Sequence, residues 1–241
     1  MVASERGKGA AIVILTGAGI SADSGVATFR RPDGLWEGHR VEDVATPQAF
    51  ARNPALVHHF YDERRAKLAS VTPNAAHLAL ATLERHWPGP FLLVTQNVDN
   101  LHDRAGSERL IHMHGALKKG WCRACDARFP WDGPMGEGAR CPVCETIGMV
   151  RPDIVWFGEM PYGMDVIDEV IRNCDLFVSI GTLGAVYPAA GFVQTARYVG
   201  AHCLELNLDP SQGSIFFHET RLGRASEIVP QWVDELLQDV R

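Results

Sequence analysis

No apolar run in the chain reaches the roughly 18 residues that a membrane-crossing helix needs. Basic charge is also scarce. Lys and Arg number 23 against 29 Asp and Glu, which leaves a net charge of −6. Nucleic-acid grooves and anionic membrane surfaces are recognised by clustered Lys and Arg, so neither nucleic acid nor membrane is an expected partner. The chain has no internal repeat and no low-complexity segment. No secretory signal is expected either. The opening MVASERGKGAAIVIL has only a short apolar segment, and a glycine loop follows it instead of a clear cleavage site. The expected compartment is therefore the cytosol, and the short N-terminal extension predicts no regulatory domain.

Hydrophobic residues make up 46% and charged residues 22%, a balance that suits a globular protein. The 241 residues suffice for one large domain, or one domain with a smaller insert. Six cysteines are present, four of them in two CxxC pairs. Cys122-x-x-Cys125, fifteen intervening residues and Cys141-x-x-Cys144 match the spacing of a tetrahedral zinc site. All four ligands come from protein, so the site is closed and structural. Cys174 and Cys203 stand alone beside apolar runs and read as core residues.

The stretch LLVTQNVDNLHDRAGSERLIHMHG, Leu92 to Gly115, is the chemical centre of the chain. Phe91 to Val94 reads as a buried strand that runs into Thr95-Gln96-Asn97-Val98-Asp99. A second short run, Leu110 to His114, stops at Gly115. His112 and His114 share one face there, with Met113 on the other. Two strand ends thus bring amides, a carboxylate and a histidine to one edge of a sheet, where open α/β sheets bind ligands. His112 reads as a structural histidine or as half of an H-x-H metal pair.

Ala10 to Leu15 is another buried-strand pattern, followed by Thr16-Gly17-Ala18-Gly19-Ile20-Ser21-Ala22. Gly17-x-Gly19-x-x-Ala22 fits a dinucleotide-binding turn, in which glycines let backbone N–H groups approach phosphate. A hydride-transferring enzyme should next show a second strand ending in an acidic residue. That strand is absent. Asp23 to Trp36 is a polar loop punctuated by Gly and Pro, and no apolar strand precedes Glu42 and Asp43.

Further along, Thr46 to Ser70 reads as helical, with Pro47 and Pro54 near helix starts. Tyr61 and Arg64 lie three apart on one face of it. Helices are also predicted over Asn74–His86, Gly163–Asn173, Ala189–Val199 and Pro230–Val240. Strands are predicted over Asp175–Ile180 and Ala201–Leu206. Alternating strands and helices imply an α/β fold, a Rossmann-like parallel sheet covered on both faces. A smaller lobe would hold the zinc ribbon and a helical module. The large lobe is placed at about 8–26, 71–116 and 150–241, and the small lobe at about 27–70 and 117–149.

In order along the chain, GAGISADSG…TFR, TQNVDNLH, HMHG, the CxxC pairs, RPDIVWFGE, GTLGAVYPA and ELN resemble the sirtuins. The likeness runs from about Ile12 to Pro230. Tyr61-x-x-Arg64 resembles the pair of class III members, and GLWEGHRVEDVATP resembles the bacterial CobB-type branch. The resemblance implies an NAD-dependent protein-lysine deacylase with one structural zinc. It implies that Gly17, Ala18, Gly19 and Ser21 line the NAD phosphates and ribose, and that Thr28, Phe29 and Arg30 belong to a cofactor loop. Gln96, Asn97 and Asp99 would surround the ribose and nicotinamide. Gly181, Thr182, Asn207 and Ala225 would continue the adenosine side. Leu183 stands where sirtuins commonly carry serine, so a hydroxyl that would reach NAD is absent.

His114 is then the general base, with Asn97 beside it to hold a ribose hydroxyl or water. A histidine suits a base that must activate a ribose hydroxyl near neutral pH. Gly115 would leave room for substrate to approach closely. The expected partner is an acylated lysine on a protein. Tyr61 and Arg64 would grip the carboxylate of a succinyl or malonyl group, and acetyl-lysine would need only an apolar tunnel. The competing reading of that pair is a solvated helix face. Val155, Phe157 and Gly158 belong to one of two extended segments, Val155–Glu159 and Leu183–Tyr187, that would sandwich the peptide as an added strand. Two other functions share much of this layout: mono-ADP-ribosyl transfer to protein, and non-catalytic binding of NAD or acyl-lysine.

Overall fold

The computed structural model describes residues 9–28, 35–36 and 38–238. In chain order the strands are β1 (Ile12–Thr16), β2 (Leu35–Trp36), β3 (His39–Arg40), β4 (Phe91–Thr95), β5 (Leu110–His112), β6 (Gly115–Cys122), β7 (Arg128–Pro130), β8 (Val150–Ile154), β9 (Leu176–Ile180), β10 (His202–Asn207) and β11 (Glu219–Leu222). The helices are α1 (Val41–Val44), α2 (Pro47–Arg52), α3 (Pro54–Lys67), α4 (Ala75–His86), α5 (Leu101–Ala105), α6 (Met164–Arg172), α7 (Phe192–Tyr198) and α8 (Ala225–Gln238). A 3-10 helix, Ala18–Ser24, follows β1.

Six strands form one parallel sheet in the order β11-β10-β9-β1-β4-β5. The chain winds outward from β1 in one direction through β4 and β5, then returns beside β1 and winds the other way. The reversal puts a crevice at the carboxyl ends of β1 and β9, where such sheets bind ligands. Both faces are covered, which explains the continuous apolar runs. Ile12, Ile14, Leu93 and Val178 pack with Leu80, Leu83, Val229 and Trp232 from α4 and α8. Val13, Leu15, Val94 and Phe177 pack with Ile167, Ile171 and Val193 from α6 and α7. Each such buried side chain contributes about 1.5–3 kcal/mol.

The helical module starts as its prolines predict. Pro47 and Pro54 open α2 and α3, and the side chains of Thr46 and Asn53 cap them. Asn53 separates the two helices. Arg65 fastens α3 to the ribbon by donating to the carbonyls of Leu117 (2.7 Å) and Gly133 (3.2 Å). Asp62 accepts from the Met135 N–H.

The ribbon is an antiparallel sheet, β7-β6-β8. Val150–Ile154 therefore pairs with β6 in this smaller sheet. The predicted C-terminal helix begins earlier, at Ala225, and carries Pro230 inside it. Among the described residues, no helix is long and apolar enough to cross a membrane.

Candidate active site at the crevice of the parallel sheet

The glycine turn closes against the loop after β9. Gly17 N–H donates to the Ile180 carbonyl (3.0 Å) and Gly19 N–H to the Gly181 carbonyl (2.9 Å). A Cβ on Gly19 would lie 2.7 Å from Gly181 Cα. The two glycines thus serve first to let two loops touch, and their N–H groups are engaged by protein. That differs from the sequence reading, in which they faced phosphate. Ala18 begins the 3-10 helix and can present its N–H to an anion there.

Ser21 is fully buried at the centre of a hydrogen-bonded cluster. Its hydroxyl donates to Asp99 Oδ2 (3.0 Å) and accepts from Asn97 Nδ2 (3.1 Å). It also lies 3.3 Å from His77 Nε2. His77 Nδ1 accepts from the Asn74 N–H, so Nε2 carries the ring proton and donates to Ser21. Burial pushes the His77 imidazole down to about 4 and raises the Asp99 carboxyl. Asp99 Oδ1 also accepts from the Leu101 N–H. Behind this cluster His102 Nε2 meets Thr16 Oγ1 at 3.0 Å, and Thr16 donates to Thr95 Oγ1. The His102 ring lies edge-on to that of His77, and burial holds it well below the usual histidine range.

A neutral His77 makes stability depend on acid. Its unfolded value is 6.5 and its folded value about 4. Its contribution is complete above pH 6.5 and is lost as pH falls from there toward 4. Urea unfolding of the wild type at pH 7 and 4.5 is expected to show an acid loss greater by about 2–3 kcal/mol than in His77→Gln. Equal losses in the two proteins would contradict the neutral assignment.

His114 follows β5. Its Nδ1 lies 3.1 Å from the Gln96 carbonyl, which can only accept, so Nδ1 carries the proton and Nε2 keeps the lone pair. Burial lowers its pKa, and the bond to Gln96 opposes that shift. His112 turns elsewhere, with Nε2 3.0 Å from Asp103 Oδ2. Its Nδ1 lies 3.4 Å from the Asn97 carbonyl, so both ring nitrogens face protein oxygens. Gly115 has φ +80°, and a Cβ there would lie 2.0 Å from the Asp153 carbonyl oxygen. The close approach at Gly115 is thus by the β8 backbone, and the expectation that it makes room for substrate is corrected.

On the other side of the crevice, Asn207 Nδ2 holds the Thr182 carbonyl at 2.7 Å. Thr182 Oγ1 lies 2.9 Å from Ser179 Oγ. Leu183 follows and is partly exposed, while Ala225 opens α8 and is buried. Thr28 is half-buried. Phe29 and Arg30 lie outside the described residues.

Tyr61 and Arg64 are buried, which removes the solvated-face alternative. Arg64 Nη1 donates to the Phe60 carbonyl (2.7 Å), and its guanidinium lies 3.2 Å from the centre of the Phe60 ring. Tyr61 Oη accepts from Trp156 Nε1 at 3.0 Å. Val155 donates its N–H to the His114 carbonyl, and Phe157 to the Ala45 carbonyl. The chain then turns at Gly158, φ +90°. The expected extended segment therefore covers only its first residues, because Glu159 folds back to accept from the Trp156 N–H.

The four cysteine sulfurs lie within 4.8 Å of one another. Cys122 and Cys144 are 3.7 Å apart, and Cys125 and Cys141 3.8 Å. A tetrahedron with Zn–S bonds of about 2.3 Å has edges of about 3.8 Å, so the thiols fit zinc. Disulfides would need about 2.05 Å. Each CxxC turn closes with a positive-φ residue, Asp126 or Glu145, whose N–H returns to the carbonyl of Cys122 or Cys141. The N–H groups of Val143 and Cys144 point at Cys141 Sγ and hold it in place.

A model of the Sir2 family matches residues 17–188. The chain belongs to the Sir2 family. An NAD-dependent protein deacylase of Pasteurella multocida is 55% identical over 94% of this chain and 97% of that protein. One from Leishmania major is 56% identical over 95% and 96%. The crystal structure of a Sir2 homologue in complex with NAD is 35% identical, with a TM-score of 0.89 over all of this chain and 93% of that one. The Sir2 fold accounts for both lobes: the parallel sheet with its crevice, and the four-cysteine ribbon with its helical module.

Sequence reasoning missed His77, His102 and Trp156. Asn74-x-x-His77 has the spacing of a helix cap, and that signal was available. Trp156 stood in an apolar run and carried none.

Proposed function

We propose that the chain is an NAD-dependent protein-lysine deacylase that removes succinyl and malonyl groups, and acetyl groups as well. The products are nicotinamide, the free lysine and an O-acyl-ADP-ribose. The observation that carries the reading is His114, held with Nε2 as its open atom beside the Ser21–Asn97–Asp99 cluster at the sheet crevice. A pure binding module needs no base there.

NAD supplies an electrophilic ribose carbon that already carries a leaving group. The acyl oxygen of the modified lysine would displace nicotinamide at that carbon. Gln96 fixes the His114 ring, and Nε2 would take a proton from a ribose hydroxyl so that this oxygen attacks the acyl carbon. Water would then release the lysine nitrogen, and the acyl group stays on ADP-ribose. Ser21 and Asn97 orient the ribose. Asp99 accepts from the nicotinamide carboxamide. Gly17 and Gly19 close the turn that presents Ala18 to the phosphates, and Gly181, Thr182, Leu183, Asn207 and Ala225 line the adenosine side. Thr28 belongs to the cofactor loop, to which the family resemblance also assigns Phe29 and Arg30. Val155, Phe157 and Gly158 hold the peptide, and Tyr61 and Arg64 hold the acyl carboxylate. Zinc, on Cys122, Cys125, Cys141 and Cys144, keeps the ribbon folded and takes no part in the reaction.

Nicotinamide release from NAD tests the reading: it should require an acylated peptide, and label in the adenosine half of NAD should leave with the acyl group. Label retained on the peptide would favour ADP-ribosyl transfer. NAD bound without nicotinamide release would favour a binding module. For the acyl preference, Arg64→Met should lower kcat/KM for succinyl-lysine about 10- to 100-fold more than for acetyl-lysine. Equal losses would return Arg64 to a packing role.

A further inference from the structure

One carboxylate is buried in the parallel sheet and has no part in the chemistry above. Glu205, on β10, is 0% exposed. It shares a face with Cys203, which packs with Val193 of α7, and it stands opposite Ser179 of β9 and Thr220 of β11. A charge taken out of water is costly unless hydrogen bonds replace its hydration. Oε1 accepts the Ser211 N–H at 3.0 Å. Oε2 accepts the hydroxyls of Ser214 and, at 3.2 Å, Thr220. Bonds to an ionised acceptor are about twice as strong as neutral ones, so this carboxylate is a firm anchor.

What it anchors is the loop after β10. Ser211 lies in that loop, and Ser214 opens the 3-10 helix Ser214–Phe216. Glu205 thus ties both ends of the segment 211–214 to the sheet. The same segment supports the cofactor side of the crevice. Gln212 donates its N–H to the Leu183 carbonyl at 3.0 Å. A Cβ on Gly184 would lie 3.2 Å from Ser211 Cβ. Asn207, two residues after Glu205, holds the Thr182 carbonyl. A small cavity at the crevice is lined by Gln96, Ser179, Thr182, Gly184, Ser211 and Gly213, so the loop reaches the site itself.

We propose that Glu205 is a positioning residue for the cofactor: its carboxylate sets the loop that holds the turn at 182–184, and through it the seat of the adenosine half of NAD. The inference rests on the reading that Thr182, Leu183 and Asn207 line the adenosine side. With the anchor gone, the loop and the turn bonded to it shift together. NAD and ADP-ribose, which share the adenosine half, then both bind less tightly. The acylated peptide does not depend on that turn for its chemistry, so the loss falls on cofactor affinity.

The test measures the Kd of ADP-ribose by calorimetry, and the steady-state constants for NAD and an acetyl-lysine peptide, in wild type, Glu205→Met and Asn207→Ala. Methionine matches glutamate in length and removes the carboxylate. In Glu205→Met the Kd of ADP-ribose and the KM of NAD should rise about three- to tenfold. The kcat and the KM of the peptide should stay within about twofold of wild type, the signature of lost binding that is equal in ground and transition states. Ser214→Ala, which unties one end of the loop and leaves the sheet intact, serves if Glu205→Met does not fold, with an expected rise of about threefold. Unchanged ADP-ribose affinity in the folded variant, or a loss shared equally by kcat and both KM values, would overturn the proposal. If Asn207→Ala binds ADP-ribose as wild type does, the adenosine-side reading fails and the inference falls with it.

Discussion

His114→Ala is expected to lower the rate of deacylation about 10²- to 10⁴-fold, the usual range for loss of a general base. The geometry explains why no neighbour replaces it. Gln96 accepts the Nδ1 proton, and the ring is fixed with Nε2 as the basic atom. His112 is the nearest histidine in sequence, and its Nε2 is paired with Asp103. The pH profile adds a second condition. Burial lowers the pKa of His114 from 6.5. A base must be neutral, so single-turnover rates should be level above neutrality and fall on the acid side. The midpoint of that fall should lie below 6.5. A midpoint above 6.5, or a His114→Ala enzyme that keeps wild-type turnover, would remove His114 from the chemistry.

Loss of zinc is the second large effect. Structural zinc binds with apparent energies of about 10–16 kcal/mol in small zinc modules, which exceeds the net stability of most domains. Cys141→Ser removes a buried ligand whose sulfur also receives two backbone N–H groups. The variant should lose its metal and expose β6–β8 to protease. Activity should fall with it, because β8 leads into the turn that carries Val155 and Trp156, and Val155 is bonded to the His114 carbonyl. Metal analysis, limited proteolysis and turnover on one preparation check this. A metal-free, protease-resistant and fully active Cys141→Ser protein would contradict it.

Some of this was legible in the sequence and some was not, for physical reasons. Strands β1, β4, β9 and β10 are buried on both faces, so they read as unbroken apolar runs. The cysteines announce themselves because tetrahedral thiolate coordination constrains their spacing. Edge strand β11, Glu219–Leu222, alternates in burial and looks like a polar loop; it was not read. Strand β8, VRPDI, carries an arginine, a proline and an aspartate and has no strand pattern; its place beside β6 shows only in the fold. The glycines at 17, 19 and 115 were legible as special positions, yet the backbone each approaches belongs to a distant segment. The same applies to His77, His102 and Trp156, whose partners lie 56, 86 and 95 residues away. Composition and spacing identify the chemistry near a ligand more readily than the buried hydrogen bonds that aim it.

One measurement tests the central claim most directly: mass spectrometry of a succinyl-lysine peptide and the small-molecule products, with and without NAD. The account predicts NAD-dependent loss of the succinyl group, with nicotinamide and succinyl-ADP-ribose formed in equal amounts. A peptide that keeps its succinyl group while gaining ADP-ribose, or while NAD remains intact, would contradict it.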